Sequence, residues 1–190
     1  MRARGFSLVE TVVVVGIGLT MAAVALPVFR SLYADAHLVG AGQAFRAQFR
    51  LAASMAVRSN AYTAIRFEKR GEEFWYAVYR DGNHNGVRAA DIASGRDLRV
   101  SGPFPLTGGA PSVRVGINPG VPAIPPDSGP LEGDPIQFGR SDTLSFSPLG
   151  TATPGTFYLA GDSAQAAVRV TPGTARVRLL ICRGGKWRER

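Results

Sequence analysis

The chain has 190 residues, 45% of them hydrophobic, which is enough for the core of one domain, and it carries a formal charge of +8. Its single cysteine, Cys182, excludes an intrachain disulfide framework and a cysteine-rich zinc site. Residues 176–190 hold six basic groups against one acidic, so the basicity belongs to the C-terminal end rather than to the surface as a whole.

Arg2 and Arg4 come first, followed by Gly5-Phe6-Ser7-Leu8-Val9-Glu10 and an apolar run from Phe6 to Phe29. At a rise of about 1.5 Å per residue that run reaches about 36 Å, enough to cross a hydrocarbon core of roughly 30 Å. The two arginines favour an N-terminus held in the cytoplasm, with everything after Arg30 on the outer side. Glu10 is the one charge inside the run, and an unpaired carboxylate at membrane depth costs at least ~2.5 kcal/mol. It therefore needs a partner. The hexapeptide resembles the N-terminal signature of type IV pilin-like precursors, in which a short basic leader ends in Gly and a hydrophobic helix follows with Glu at its fifth position. The resemblance implies a leader over 1–5, cleavage between Gly5 and Phe6 by a prepilin peptidase, and methylation of the new Phe6 amine. It also implies that Glu10 neutralises the N-terminal ammonium of a neighbouring subunit during filament assembly. On this reading residues 6–29 cross the inner membrane once, the rest is periplasmic, and the processed chain enters a filament. The alternative is a secretory signal peptide cut after Ala23-Val24-Ala25, which would release a secreted β-protein starting at Leu26. Glu10 would gain nothing there. Pro27 lies late in the helix, where loss of one internal hydrogen bond predicts a kink or a loosened turn; pilin-like helices often carry a proline at this place.

Across 30–60 the pattern turns amphipathic. Leu38, Phe45, Phe49, Ala52 and Met55 form one apolar stripe, with Arg46, Arg50 and Arg58 off it. This predicts a single long helix whose second half packs on a globular β-domain over 61–190.

Beyond Asn60 the period becomes two. Tyr62–Lys69 and Phe74–Arg80, joined through Gly71, read as a β-hairpin. Further strand candidates are 98–100, 113–117, 136–138, 143–146, 156–160, 167–171 and 175–182. Between them, residues 102–135 hold 16 Gly or Pro in 34 positions and read as an exposed excursion in which a strand over 113–117 is embedded.

Thr143-Leu144-Ser145-Phe146-Ser147-Pro148-Leu149-Gly150, Phe157-Tyr158-Leu159, Val168-Arg169-Val170-Thr171 and Thr174-Ala175-Arg176-Val177-Arg178 resemble the GspH/FimT subfamily of minor pilins and pseudopilins. That subfamily commonly has Gly where this chain has Ala175. The implied fold is α+β: a long N-terminal helix, its first half transmembrane, packed on an antiparallel β-sheet domain. The implied function is a minor pseudopilin or minor pilin that joins or caps the filament of a type II secretion system or type IV pilus. Its partners would be other pilin or pseudopilin subunits, the prepilin peptidase and the inner membrane.

Two further patterns carry site readings. Asp81, Asn83, Asn85 and Asp91 mimic a calcium loop, but Ile92 stands where the closing acid belongs, so a structural Asx/Gly turn is the preferred reading and no metal or cofactor is expected. At the C-terminal end, Arg176 and Arg178 fall on the face of a strand opposite Val177, Leu179 and Ile181, next to an exposed tail with Arg183, Lys186, Trp187, Arg188 and Arg190. Cations beside an aromatic residue suit phosphates and bases. Some FimT-type minor pilins of natural transformation bind DNA through arginines of this motif, which makes a DNA receptor the alternative function. The competing reading is a solvated basic tail. With His37 and His84 the only histidines and no nucleophile elbow, zinc-binding helix or phosphate loop, an enzyme is not expected.

Overall fold

The structure is a computed structural model and describes residues 7–107 and 112–190. Helix α1 (Leu8–Ser59) is continuous through Pro27. It starts in a capping box, where Ser7 Oγ accepts the Glu10 N–H at 3.2 Å and Glu10 Oε2 accepts the Ser7 N–H at 3.4 Å. It ends at Asn60, whose left-handed backbone (φ 48°) is a conformation that Asn tolerates better than most residues.

Strands β1 (Thr63–Arg70) and β2 (Glu73–Arg80) form the expected hairpin, in register from Thr63↔Arg80 to Arg70↔Glu73. A short helix, α2 (Ala89–Ala93), precedes β3 (Leu98–Pro105), and β6 (Thr143–Phe146) later joins the free edge of β1. The first sheet thus runs β3-β2-β1-β6. Strand β3 reaches four residues, 102–105, into the excursion, which the sequence reads as irregular from its start. Pro103 and Pro105 are tolerated because β3 is an edge strand with no further partner to donate to.

The second sheet is antiparallel and built from β4 (Arg114–Val115), β7 (Gly155–Ala160), β8 (Gln165–Val170), β9 (Val177–Arg183) and β10 (Lys186–Glu189), with β5 (Ile136–Gln137) on β7 beside β4. Strand β10 corrects the sequence reading. The basic segment taken as an exposed tail turns back at Gly184-Gly185 and pairs with β9, from Lys186↔Arg183 to Glu189↔Leu180.

The core lies between the two sheets and α1. Ala34, Leu38, Phe45, Phe49, Ala52 and Ala56 are buried at helical spacing, whereas Met55, expected on the stripe, is half-buried at its margin. Five phenylalanines lock the layers together. Phe49 meets Phe138 edge-on at 5.8 Å, and Phe67 stacks on both Phe138 and Phe157 at 5.7 Å. At Gly42 the helix passes close to the second sheet: a Cβ there would lie 2.6 Å from a Leu179 methyl.

The excursion is also corrected. Ile124 and Leu131, with Ile117 and Val121, pack on Tyr158, Ala167 and Leu180, forming a second small core on the outer face of the second sheet. Much of 102–135 is therefore a cover for that face, not a solvated loop.

Candidate functional site

The N-terminal end is defined by what it leaves uncovered. Leu8 is 83% exposed, and Val12, Ile17, Met21 and Phe29 are exposed as well. No residue of the most apolar window of α1 is buried by the domain, so this half of the helix meets the length and composition of a membrane span. Gly5 and Phe6, the expected cleavage pair, lie outside the described residues. Glu10 lies inside them, exposed, and among the described residues its carboxylate is engaged only by its own capping box.

Where α1 meets β3, a groove of about 700 Å³ runs between the helix and Leu106, lined by Tyr33, His37, Ala41, Phe45 and Tyr76. The Tyr33 and His37 rings lie 4.3 Å apart. Burial pushes the Tyr76 phenol above its ordinary pKa, with a Gln48 hydrogen bond acting the other way. His37 thus belongs to an apolar wall.

The six residues proposed for DNA contact are split between the two faces of the second sheet. Because β9 and β10 alternate, Arg178, Trp187 and Glu189 share the outer face. There Glu189 accepts Arg178 Nε at 2.9 Å and pairs with its Nη2, and Arg176 Nη2 lies 3.7 Å from the other carboxylate oxygen. The Arg178 hydrogen bond is the main cause that holds the Glu189 carboxyl below its ordinary range. Trp187 is not a free stacking platform: its indole N–H donates to the Pro122 carbonyl at 2.8 Å and its ring packs on the outer core. Arg183, Lys186, Arg188 and Arg190 fall instead on the helix-facing side, where with Ile181 they line a shallow cavity of about 310 Å³. From the helix, Arg46 donates to the Arg190 carbonyl at 2.8 Å.

The Asp81 loop is occupied by its own main chain. Asp81 accepts the N–H groups of Asn83 (2.9 Å) and Gly86 (2.7 Å), and Asp97 accepts those of Gly82 and Arg88. Asp91 accepts the Asn85 side-chain amide at 3.1 Å, the main cause that keeps its carboxyl below the usual range. Asn85 and Asn83 are therefore turn-building donors and acceptors here. Sequence reasoning missed Asp97, which lies sixteen residues from Asp81, and also Glu189 and Asp35; the only visible signal for these was acids scattered near excess arginine. Cys182 is buried, and burial raises its thiol pKa, against a backbone hydrogen bond at Gly185. Ala175 takes the left-handed backbone (φ 46°) that Gly would adopt at no steric penalty.

A family model described as Type II transport protein GspH matches residues 41–174, well over half of the chain. No curated protein and no solved structure matches.

Proposed function

The chain belongs to the GspH family, a family of structural pseudopilins and not of enzymes, and from that premise we propose that it is a minor pseudopilin or minor pilin that joins or caps the filament of a type II secretion system or type IV pilus. One observation carries this reading: the first half of α1 is exposed and apolar on every side, yet holds a lone carboxylate, Glu10, whose only described contacts are within its own cap. Such a surface is stable only when lipid or neighbouring helices cover it, and such a carboxylate costs free energy at that depth until a cation meets it. A subunit that first waits in the inner membrane and then packs against neighbours, Glu10 against an N-terminal ammonium, satisfies both requirements. The groove between α1 and β3 offers a further apolar surface to an adjacent subunit.

Processing tests the reading. The mature chain is expected to begin at Phe6 with a methylated amine, and Gly5→Val, which places a branched side chain at the cut, is expected to leave the precursor intact. Intact-mass analysis of the membrane-extracted protein reads both. A mature chain starting at Leu26 would instead identify a secretory signal.

DNA contact is the second reading, and its residue set changes. Glu189 offsets one of the two charges of Arg176 and Arg178, whereas Lys186, Arg188 and Arg190 on the helix-facing side pair with no carboxylate among the described residues and so offer phosphates the larger uncompensated charge.

A further inference from the structure

Asp35 ties the β-domain to the helix at one height. Its Oδ2 accepts from Arg183 Nη2 at 2.9 Å and its Oδ1 from Ser163 Oγ at 3.0 Å. The turn between β9 and β10 and the turn between β7 and β8 therefore both hang at the level of residue 35. That level is six residues beyond Phe29, or about 9 Å of helical rise. A headgroup layer extends roughly 5–7 Å outside the hydrocarbon. The two turns stand within one Debye length, about 8–10 Å, of the lipid phosphates.

Cations collect at this end. Arg30 is exposed just below it, and Lys186 lies directly across from Arg183 in the ladder. Arg114 reaches the same turns through Asn118: Arg114 Nη2 donates to Asn118 Oδ1 at 2.6 Å, and Asn118 Nδ2 donates to the Gly161 carbonyl at 2.9 Å. The carboxylates at this level, among the described residues, are Asp35 and Asp162, and Asp35 is already paired with Arg183. Lys186 and Arg114 are exposed and lack an acidic partner among the described residues, in contrast to Arg176 and Arg178 at the far end of β9.

We propose that this end of the domain rests on anionic phospholipid headgroups of the bilayer its own helix crosses, with Lys186 and Arg114 as the contacting cations. The proposal rests on the anchoring reading above. It gives the cations a role before assembly, which is to hold the domain down on the membrane until filament contacts replace the lipid.

The test uses the full chain in nanodiscs of phosphatidylcholine, with or without roughly 30 mol% phosphatidylglycerol, followed by amide hydrogen exchange. Exchange at residues 183–188 is expected to slow about threefold or more in anionic discs, and the difference should vanish at about 500 mM salt. Lys186→Gln and Arg114→Gln, both at exposed positions, should each shrink the difference, whereas Arg176→Gln should not. Protection of residues 7–29 in both disc types reports the anchoring reading separately; its absence would overturn that reading, and the proposal with it. Equal exchange at 183–188 in the two discs, with 7–29 protected, would overturn the lipid contact alone. So would duplex DNA added to neutral discs, if it slowed these amides more than anionic lipid does at the same ionic strength, since the patch would then be a DNA surface.

Discussion

The two halves of α1 are the same helix with opposite requirements. From Leu8 to Phe29 apolar residues go all the way round and the domain covers none of the span; from Ala34 to Ser59 they form one stripe, and Phe49 at its centre is fully buried. The first half carries more hydrophobic residues than the second, yet it is the second that belongs to the fold. Apolar content says that a helix must be covered; the width of the apolar face says by what. A single stripe is covered by a domain packed on one side of the helix, here by both sheets, whereas an all-round surface needs lipid or a ring of other helices.

The sharpest way to break this comparison is to truncate one side chain in each half. Phe49→Ala removes a ring packed against Phe45, Phe67, Phe138 and Phe157 and should destabilise the domain by about 3–5 kcal/mol. Val13→Ala, on the exposed half, should leave thermal unfolding of the domain within about 0.5 kcal/mol of wild type. Similar losses from both would mean that the first half is part of the core.

A smaller effect is expected where the two halves meet. Asp35→Ala removes the acceptor of Arg183 and Ser163, a part-exposed pair that contributes on the order of 1 kcal/mol or less. Its more telling readout is local: amides of the 161–164 and 183–186 turns should exchange faster while those around Phe49 do not. Uniformly faster exchange would show that the tie is not local.

The smallest effect concerns the far end of β9. The Glu189 carboxyl is held below its ordinary range, chiefly by Arg178, so its contribution is present above the unfolded carboxyl pKa, near 4.3, and is lost as pH falls through the lower folded value. Acid titration should therefore loosen β10 below about pH 4. Glu189→Gln should remove that dependence, and a variant that kept it would assign the titration to another group.

How much of this was legible depends on how local each signal was. The stripe of Leu38, Phe45, Phe49 and Ala52 is a period within one helix, and the β1–β2 hairpin alternates around a single turn at Gly71, so both could be read directly. Strand β10 was not read because Lys186-Trp187-Arg188-Glu189 has the composition of a tail. The usable signal was Gly184-Gly185, a two-residue hairpin turn between Arg183 and Lys186. The cover over the outer sheet was hidden because prolines and glycines space Ile117, Val121, Ile124 and Leu131 with no period, and only the sheet they land on makes them a cluster. The division of the basic residues between two faces follows from β10 itself, since a tail has no faces. Ala175 shows the converse: it is not the Gly that a left-handed backbone favours, but the angle is adopted anyway.

The central claim is that Glu10 is held ready for a cation supplied by another subunit, and the most direct measurement is the entry of Glu10→Ala into filaments. The variant is expected to insert into the inner membrane and to be processed at Phe6 like wild type, because the apolar span is intact and lipid favours losing the charge. It is expected to be absent from filaments purified through another subunit. Glu10→Ala recovered with those filaments in the same proportion as wild type would contradict the account.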